Sequence, residues 1–243
     1  MRINSAQWRE LMRCQVENAG INASSDSQNL KIDKIVAFVS ELLAWNQKIN
    51  LTAITDAEEV AEKHIIDSLI PAKFIPDNAS VIDLGTGGGF PGIPLIIYMP
   101  SLAVTLVDSS RKKINFLKYV IRILNFQNIS AHQFRVEELS DHPDFAGQFD
   151  VVISRAFTSL NRFFEVAAPL IKPDGVIIAM KGKEVEKEID DLKSAGMSGD
   201  LHLINENLYL INEKEMRLQV EKYRLPVSGD ERSLVMARNY QKK

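Results

Sequence analysis

Along LKIDKIVAFVSELLAWNQKIN (30–50), the apolar residues Ile32, Ile35, Val36, Val39, Leu42, Leu43 and Ile49 recur at three- and four-residue steps. That is the period of one apolar helix face. A polar stretch, ASSDSQN (23–29), precedes it, and residues 5–50 together read as helices. A third helix is expected near Asp56, where TDAEEVAEKH offers a capping threonine or aspartate followed by acids in the first turn. From residue 80 the pattern shortens. SVIDLG (80–85), AVTLVDSS (103–110), ISAHQF (129–134), FDVVISRAF (149–157) and GVIIAMKG (175–182) read as strands, with helical stretches at 91–99, 111–125 and 159–171 between them. Strand and helix alternating at this spacing predict a parallel sheet with right-handed crossovers. The tail differs: EMRLQVEKYRLP and RSLVMARNY flank VSGDE and predict two antiparallel strands joined by a turn. The expected architecture is therefore α/β and Rossmann-like, mainly a parallel sheet with a C-terminal antiparallel strand pair. A helical extension over 1–78 is expected to pack on a core domain over 79–243.

Composition narrows the chemistry. At 243 residues and 45% hydrophobic, the chain is long enough for one sizeable core. A net charge of -3 gives no global basic balance, which leaves nucleic acid to a local face. Cys14 is the single cysteine, and His64, His132, His142 and His202 lack metal-ligand spacing, so neither a disulfide framework nor a metal is expected. MRINSAQWRELMRC has no signal-like apolar run, and GIPLIIYMP is too short to span a bilayer. The reading is a cytoplasmic monomer with no membrane partner.

The most informative segment is VIDLGTGGGFPGIPL (81–95), where Gly85, Gly87, Gly88 and Gly89 follow a buried-looking strand. Such a turn lets backbone amides and a helix N-terminus come close to a ligand. Three of its glycines, Gly87, Gly89 and Gly92, satisfy the dinucleotide pattern, which alone is weak evidence. No lysine followed by serine or threonine comes after the glycines, which excludes a phosphate-binding P-loop. Asp83 precedes the first glycine, and Asp108 ends the next strand 25 residues later. A carboxylate beside the loop repels pyrophosphate and attracts an amine, while one ending strand two can hold ribose hydroxyls. The pair brackets a nucleoside with a positively charged tail, a description that S-adenosylmethionine fits.

At these residues the chain resembles the bacterial 16S rRNA guanine-N7 methyltransferases, the family also called glucose-inhibited division protein B. The resemblance runs from about residue 28 onward. It rests on LLAWNQKINLTAI (42–54), KHIIDSL (63–69), VIDLGTGGGFPGIPL (81–95), LVDSSRKKINFL (106–117), FRVEEL (134–139), VISRAFTSL (152–160) and MKG (180–182). The segment 197–215 is longer than in the shorter members. The resemblance implies a class I methyltransferase that uses S-adenosylmethionine to methylate N7 of a guanosine in the decoding-region loop of 16S rRNA. Its substrate would be that rRNA, the small ribosomal subunit or an assembly intermediate. Carried over motif by motif, the cofactor contacts fall on Gly85, Phe90, Val136, Glu137 and Arg155, with Val136 and Glu137 flanking the adenine.

Guanine N7 carries a lone pair and no proton, so the reaction needs orientation and no general base. Arg155, after the fourth strand, is expected to position cofactor and guanine, since arginine pairs well with the base's acceptor edge. His64 and Asp67 lie three apart on a helix and can share a face, which either holds the N-terminal helices onto the sheet or lines the target-base pocket. SSRKKINFLKYVIR (109–122) carries Arg111, Lys112, Lys113, Lys118 and Arg122 with no acid, a candidate phosphate-binding face. Lys181 joins Arg111, Lys112 and Lys113 as an expected RNA contact.

Overall fold

A computed structural model of the chain describes residues 4–21, 25–155, 157, 159–194, 201–205, 208–211 and 214–239. Two long helices lead: α1 (Ser5–Asn18), held at its start by a reciprocal cap between Asn4 and Gln7, and α2 (Ser25–Asn46). Next comes a continuous winding of changing pitch. It passes from α3 (Ala57–Glu59) into a π-helical stretch (Val60–Ile66), α4 (Asp67–Leu69) and a 3₁₀ turn (Ile70–Phe74). The cap of α3 is Asp56, whose carboxylate accepts from the amides of Glu58 and Glu59.

The remainder alternates: β1 (Ser80–Leu84), α5 (Gly92–Tyr98), β2 (Ala103–Asp108), α6 (Arg111–Ile123), β3 (Ile129–Gln133), β4 (Phe149–Arg155), α7 (Leu160–Ala167), β5 (Ile171–Lys181) and α8 (Val185–Ser194). It closes with β6 (Leu201–Asn205), β7 (Leu208–Ile211), β8 (Lys214–Arg224) and β9 (Glu231–Asn239). All strands join one sheet in the order β3-β2-β1-β4-β5-β9-β8-β7-β6. The first five are parallel, and β9, β8, β7 and β6 add on antiparallel to one another. The expected C-terminal pair is β8–β9, and β6–β7 extend it within the long segment 197–215, part of which lies outside the described residues. The expected helix over 159–171 ends at Ala167, and β5 starts at Ile171, ahead of the strand expected from Gly175.

Side chains alternate across the sheet, as the pleat requires. On one face Val81, Leu106, Val151, Ile153 and Ile178 share a core with Trp8 and Met12 of α1, Phe38 and Leu42 of α2, Ile65 of the π-helical stretch and Leu117 of α6. On the other, Ile82, Leu84, Val152 and Ile177 pack against Phe163 and Phe164 of α7 and Val185 of α8. The N-terminal helices thus belong to the first core. Phe116 of α6 sits between Phe38 and Trp45 of α2. Among the described residues no helix is long and apolar enough to cross a membrane.

Candidate active site

The chain builds β1, β2 and β3 outward in one direction, then crosses back to lay β4 on the other side of β1. Open parallel sheets bind ligands in the crevice at the carboxyl ends of the strands where the order reverses. Here β1 ends in the glycine loop and β4 ends at Arg155, so both flank that crevice.

The loop's glycines divide into two kinds. At Gly89 (φ +100°) an added Cβ would lie 2.7 Å from Ile93, and at Gly92 it would lie 2.3 Å from Leu106. These two let α5 close onto the sheet. Gly85 (φ +69°) and Gly87 (φ +61°) also take the left-handed conformation, but an added Cβ at Gly85 meets nothing within 4 Å. At Gly87 the nearest atom is the Gly85 oxygen, 3.9 Å away. Their bare surfaces face open space rather than protein.

Asp83 lies under the loop, fully buried. Its Oδ2 accepts from Thr86 Oγ1 (2.7 Å) and from the Gly92 amide (2.9 Å), while Oδ1 has no partner. Burial pushes this carboxyl up to about 6, against the pull of those two hydrogen bonds. Asp108, at the end of β2, accepts from the Gly87 amide (3.0 Å) and the Ser110 amide (2.8 Å), with Lys113 Nζ 3.4 Å away. It therefore braces the loop from the neighbouring strand. Val136 and Glu137 form a 3₁₀ turn just past β3, along the same edge. Glu137 is exposed and accepts from Arg162 Nη2 (2.9 Å), a pairing that lowers its pKa.

Arg155 organises the other wall. Its Nη1 donates to the Lys63 carbonyl (2.9 Å), its Nη2 donates to His64 Nδ1 (3.1 Å), and Asp67 Oδ2 lies 3.9 Å from Nη1. The guanidinium stands 4.9 Å above the Phe90 ring, which also stacks on His64 (4.6 Å) and touches Phe38 (5.4 Å). An arginine can only donate, so His64 accepts at Nδ1 and carries its proton on Nε2, which faces Thr52 Oγ1 at 2.6 Å. Burial, and secondly the nearby Arg155 charge, push the His64 pKa down to about 3. The ring is neutral. Asp67, its pKa raised mainly by burial, accepts from the Tyr223 hydroxyl of β8 (2.7 Å).

Lys63, His64, Asp67, Arg155 and Tyr223 line a cavity of about 450 Å³ with Ile54, Lys181, Glu188 and Arg232. Lys181 is buried on its floor, donating to the Phe157 carbonyl (2.9 Å) and to Glu188 (2.8 Å). The structure thus gathers Asp83, Gly85, Gly87, Phe90, Asp108 and Arg155 around the crevice, and His64, Asp67 and Lys181 around the adjoining cavity. Arg111 and Lys112 sit apart, exposed at the start of α6 beyond β2. Against this geometry, the profile of a family described as rRNA small subunit methyltransferase G (GidB) matches residues 31–215. A Ribosomal RNA small subunit methyltransferase G from Geobacter sp. (strain M21) is 36% identical over 94% of this chain and 96% of its own length. One from Caldanaerobacter subterraneus is 45% identical over 68% of this chain and 69% of its own.

The chain belongs to the rRNA small subunit methyltransferase G family. Solved methyltransferases share the fold at low identity. A putative O-methyltransferase from Klebsiella pneumoniae superposes with a TM-score of 0.58 at 12% identity, covering 98% of this chain and 99% of that one. The O-methyltransferase from Bacillus cereus, solved with SAH, gives 0.57 at 15% identity, covering 97% of this chain and 100% of its own. In this family G methyltransferase the site holds residues that sequence reasoning missed. Tyr223 and Glu62 are the clearest. Glu62, 3% exposed, accepts from the Val227 and Ser228 amides (2.6 and 2.8 Å), fastening the β8–β9 turn to the π-helical stretch. Neither stood out because each acts on a partner more than 150 positions away, at |i−j| of 156 for Tyr223 and 165 and 166 for Glu62.

Proposed function

We propose that the enzyme transfers a methyl group from S-adenosylmethionine to N7 of a guanosine in the decoding-region loop of 16S rRNA. The observation that carries the reading is the continuity of two half-sites. Phe90 directly follows the glycine loop, and its ring meets Arg155 (4.9 Å) and His64 (4.6 Å), both of which line the 450 Å³ cavity. Family membership supplies the class of reaction and of RNA.

The residues present fit the cofactor. The partnerless, fully buried Asp83 Oδ1 supports a cationic group near the loop, whose field would favour the ionised form that burial disfavours. The open faces at Gly85 and Gly87 leave room for the methionine portion. Asp108 keeps lone pairs for ribose hydroxyls after bracing Gly87, and the turn at Val136 and Glu137 borders the place an adenine would take.

When bound, S-adenosylmethionine would supply an electrophilic sulfonium methyl group, the N7 lone pair forming the new N–C bond as the S–C bond breaks, its electrons going to sulfur and the purine taking the positive charge. The protein has no proton to move. Arg155 uses two donors on Lys63 and His64, leaving others for the guanine O6 edge while N7 stays free. Phe90 and His64 give that cation a rigid aromatic backing, and Asp67 balances its charge from below. A neutral His64 adds no second positive charge beside the forming cation. Catalysis by this arrangement is mainly orientation.

The test is radiolabel transfer from S-adenosylmethionine to small-subunit rRNA, compared between the native protein and Arg155→Ala. The native protein labels the RNA; the variant keeps a cooperative thermal unfolding transition and loses about 100-fold in turnover. Equal turnover by the two proteins would refute the role given to Arg155, and stabilisation by NADH instead of S-adenosylhomocysteine would refute the cofactor.

A further inference from the structure

A second cavity, of about 510 Å³, opens beside the first and shares Tyr223 and Arg232 with it. Its remaining walls are Lys183 from the β5–α8 junction, Glu186 of α8, Lys222 and Arg224 of β8, and Glu231 and Ser233 of β9. Four cations face two carboxylates there. Lys222 pairs with Glu186 and Arg224 with Glu231, all four side chains being more than half exposed. Such exposed pairs contribute little and exchange partners at low cost. Lys183 is exposed and, among the described residues, pairs with no acid. Arg232, 24% exposed, reaches from this groove into the wall of the first cavity and pairs with Asp230 at 3.2 Å.

Position gives the groove its meaning. The first cavity is lined by Lys181 of β5, Arg232 of β9 and Tyr223 of β8, whereas the basic start of α6 follows β2, on the opposite side of β1. A nucleotide seated against Arg155 therefore has its neighbours nearer the β8–β9 hairpin than α6. We infer that the RNA strand carrying the target guanosine crosses this hairpin, its phosphates gripped by Lys183, Lys222, Arg224 and Arg232. This deepens the proposed function and rests on it. Phosphates displace Glu186 and Glu231 from their cations, so the carboxylates compete with the RNA and do not bind it. Contacts of this kind supply affinity and register without reading sequence.

The experiment uses the full chain and small-subunit rRNA, with S-adenosylhomocysteine binding as the control for an intact fold. Lys222→Ala/Arg224→Ala is expected to raise the KM for RNA about 10-fold and to lower the salt dependence of RNA binding by about two contacts. Glu186→Gln/Glu231→Gln is expected to tighten RNA binding, a gain that misfolding cannot imitate. Lys31→Ala/Lys34→Ala, beside a cavity near Asn125 and Asn128 where β3 begins, removes the same charge and is expected to leave both readings unchanged. Unchanged KM and salt dependence in the first variant, or equal losses in the first and third, would overturn the groove as the RNA path. Should the native protein bind this RNA with the expected salt dependence but transfer no methyl group to it, the proposed function fails while the binding surface stands.

Discussion

Asp83 is a carboxylate that the fold encloses completely and then leaves half satisfied, with Oδ2 bonded twice and Oδ1 not at all. Its raised pKa, about 6, means that the folded protein holds this proton more tightly than the unfolded chain does. Rising pH therefore subtracts stability between the ordinary carboxylate range and about 6, and under the proposed function an ammonium ligand near Asp83 would restore it. The stabilisation given by S-adenosylhomocysteine is expected to be larger at about pH 8 than at about pH 5, measured as a shift in Tm. Asp83→Asn, which keeps an acceptor for Thr86 and Gly92, is expected to flatten that difference; an unchanged pH dependence would remove Asp83 from the ammonium site. His64 behaves in the opposite sense. With its pKa near 3 it stays neutral in the fold, so the unfolded chain binds the extra proton and stability falls as pH drops from about 6.5. Its imidazole carbon shifts, followed by NMR, are expected to stay constant between about pH 8 and pH 5; a midpoint near 6.5 would contradict the Arg155–His64–Thr52 chain.

Among the elements, the decisive one is the winding from Ala57 to Phe74. Its start was legible, because a capping aspartate followed by two acids is a local signal, and Asp56 does cap it. Its π-helical middle was not, since nothing in VAEKHII marks a change of pitch. That stretch brings the Lys63 carbonyl and the His64 ring to Arg155 and turns Glu62 toward the β8–β9 turn. Glu62→Ala would leave the Val227 and Ser228 amides without their acceptor, at a cost of about 2 kcal/mol. Hydrogen exchange of those two amides is expected to accelerate well beyond that of β5; protection equal to the native protein's would show that the turn is held otherwise. The parallel strands were readable because each is a short apolar run bounded by turn residues. The early end of α7 was carried by one residue, Pro169, which has no amide to continue the helix two positions past Ala167, whereas the apolar run of FFEVAAPLI continues through it into β5.

Across the whole molecule, the winding over 57–74 and the C-terminal hairpin meet at the carboxyl edge of the sheet and both line the cavity there. Tyr223 on Asp67, and Glu62 on the hairpin turn, make that contact. The geometry of the glycine loop was legible in the sequence, because the glycines betray the turn and Asp83 and Asp108 mark the two strands beside it. The rest of the site was only partly legible. His64, Asp67 and Arg155 could be named, but their union with Tyr223 and Arg232 depends on the order in which the sheet adds β9 and β8. The measurement that tests the central claim most directly is the position of the transferred methyl group. Small subunits from cells lacking this gene would be incubated with the protein and S-adenosylmethionine, and their 16S rRNA digested and mapped by mass spectrometry. The account predicts a single new 7-methylguanosine in the decoding-region loop. Absence of any new 7-methylguanosine, on subunits and on deproteinised rRNA alike, from a protein that still binds S-adenosylhomocysteine would contradict it.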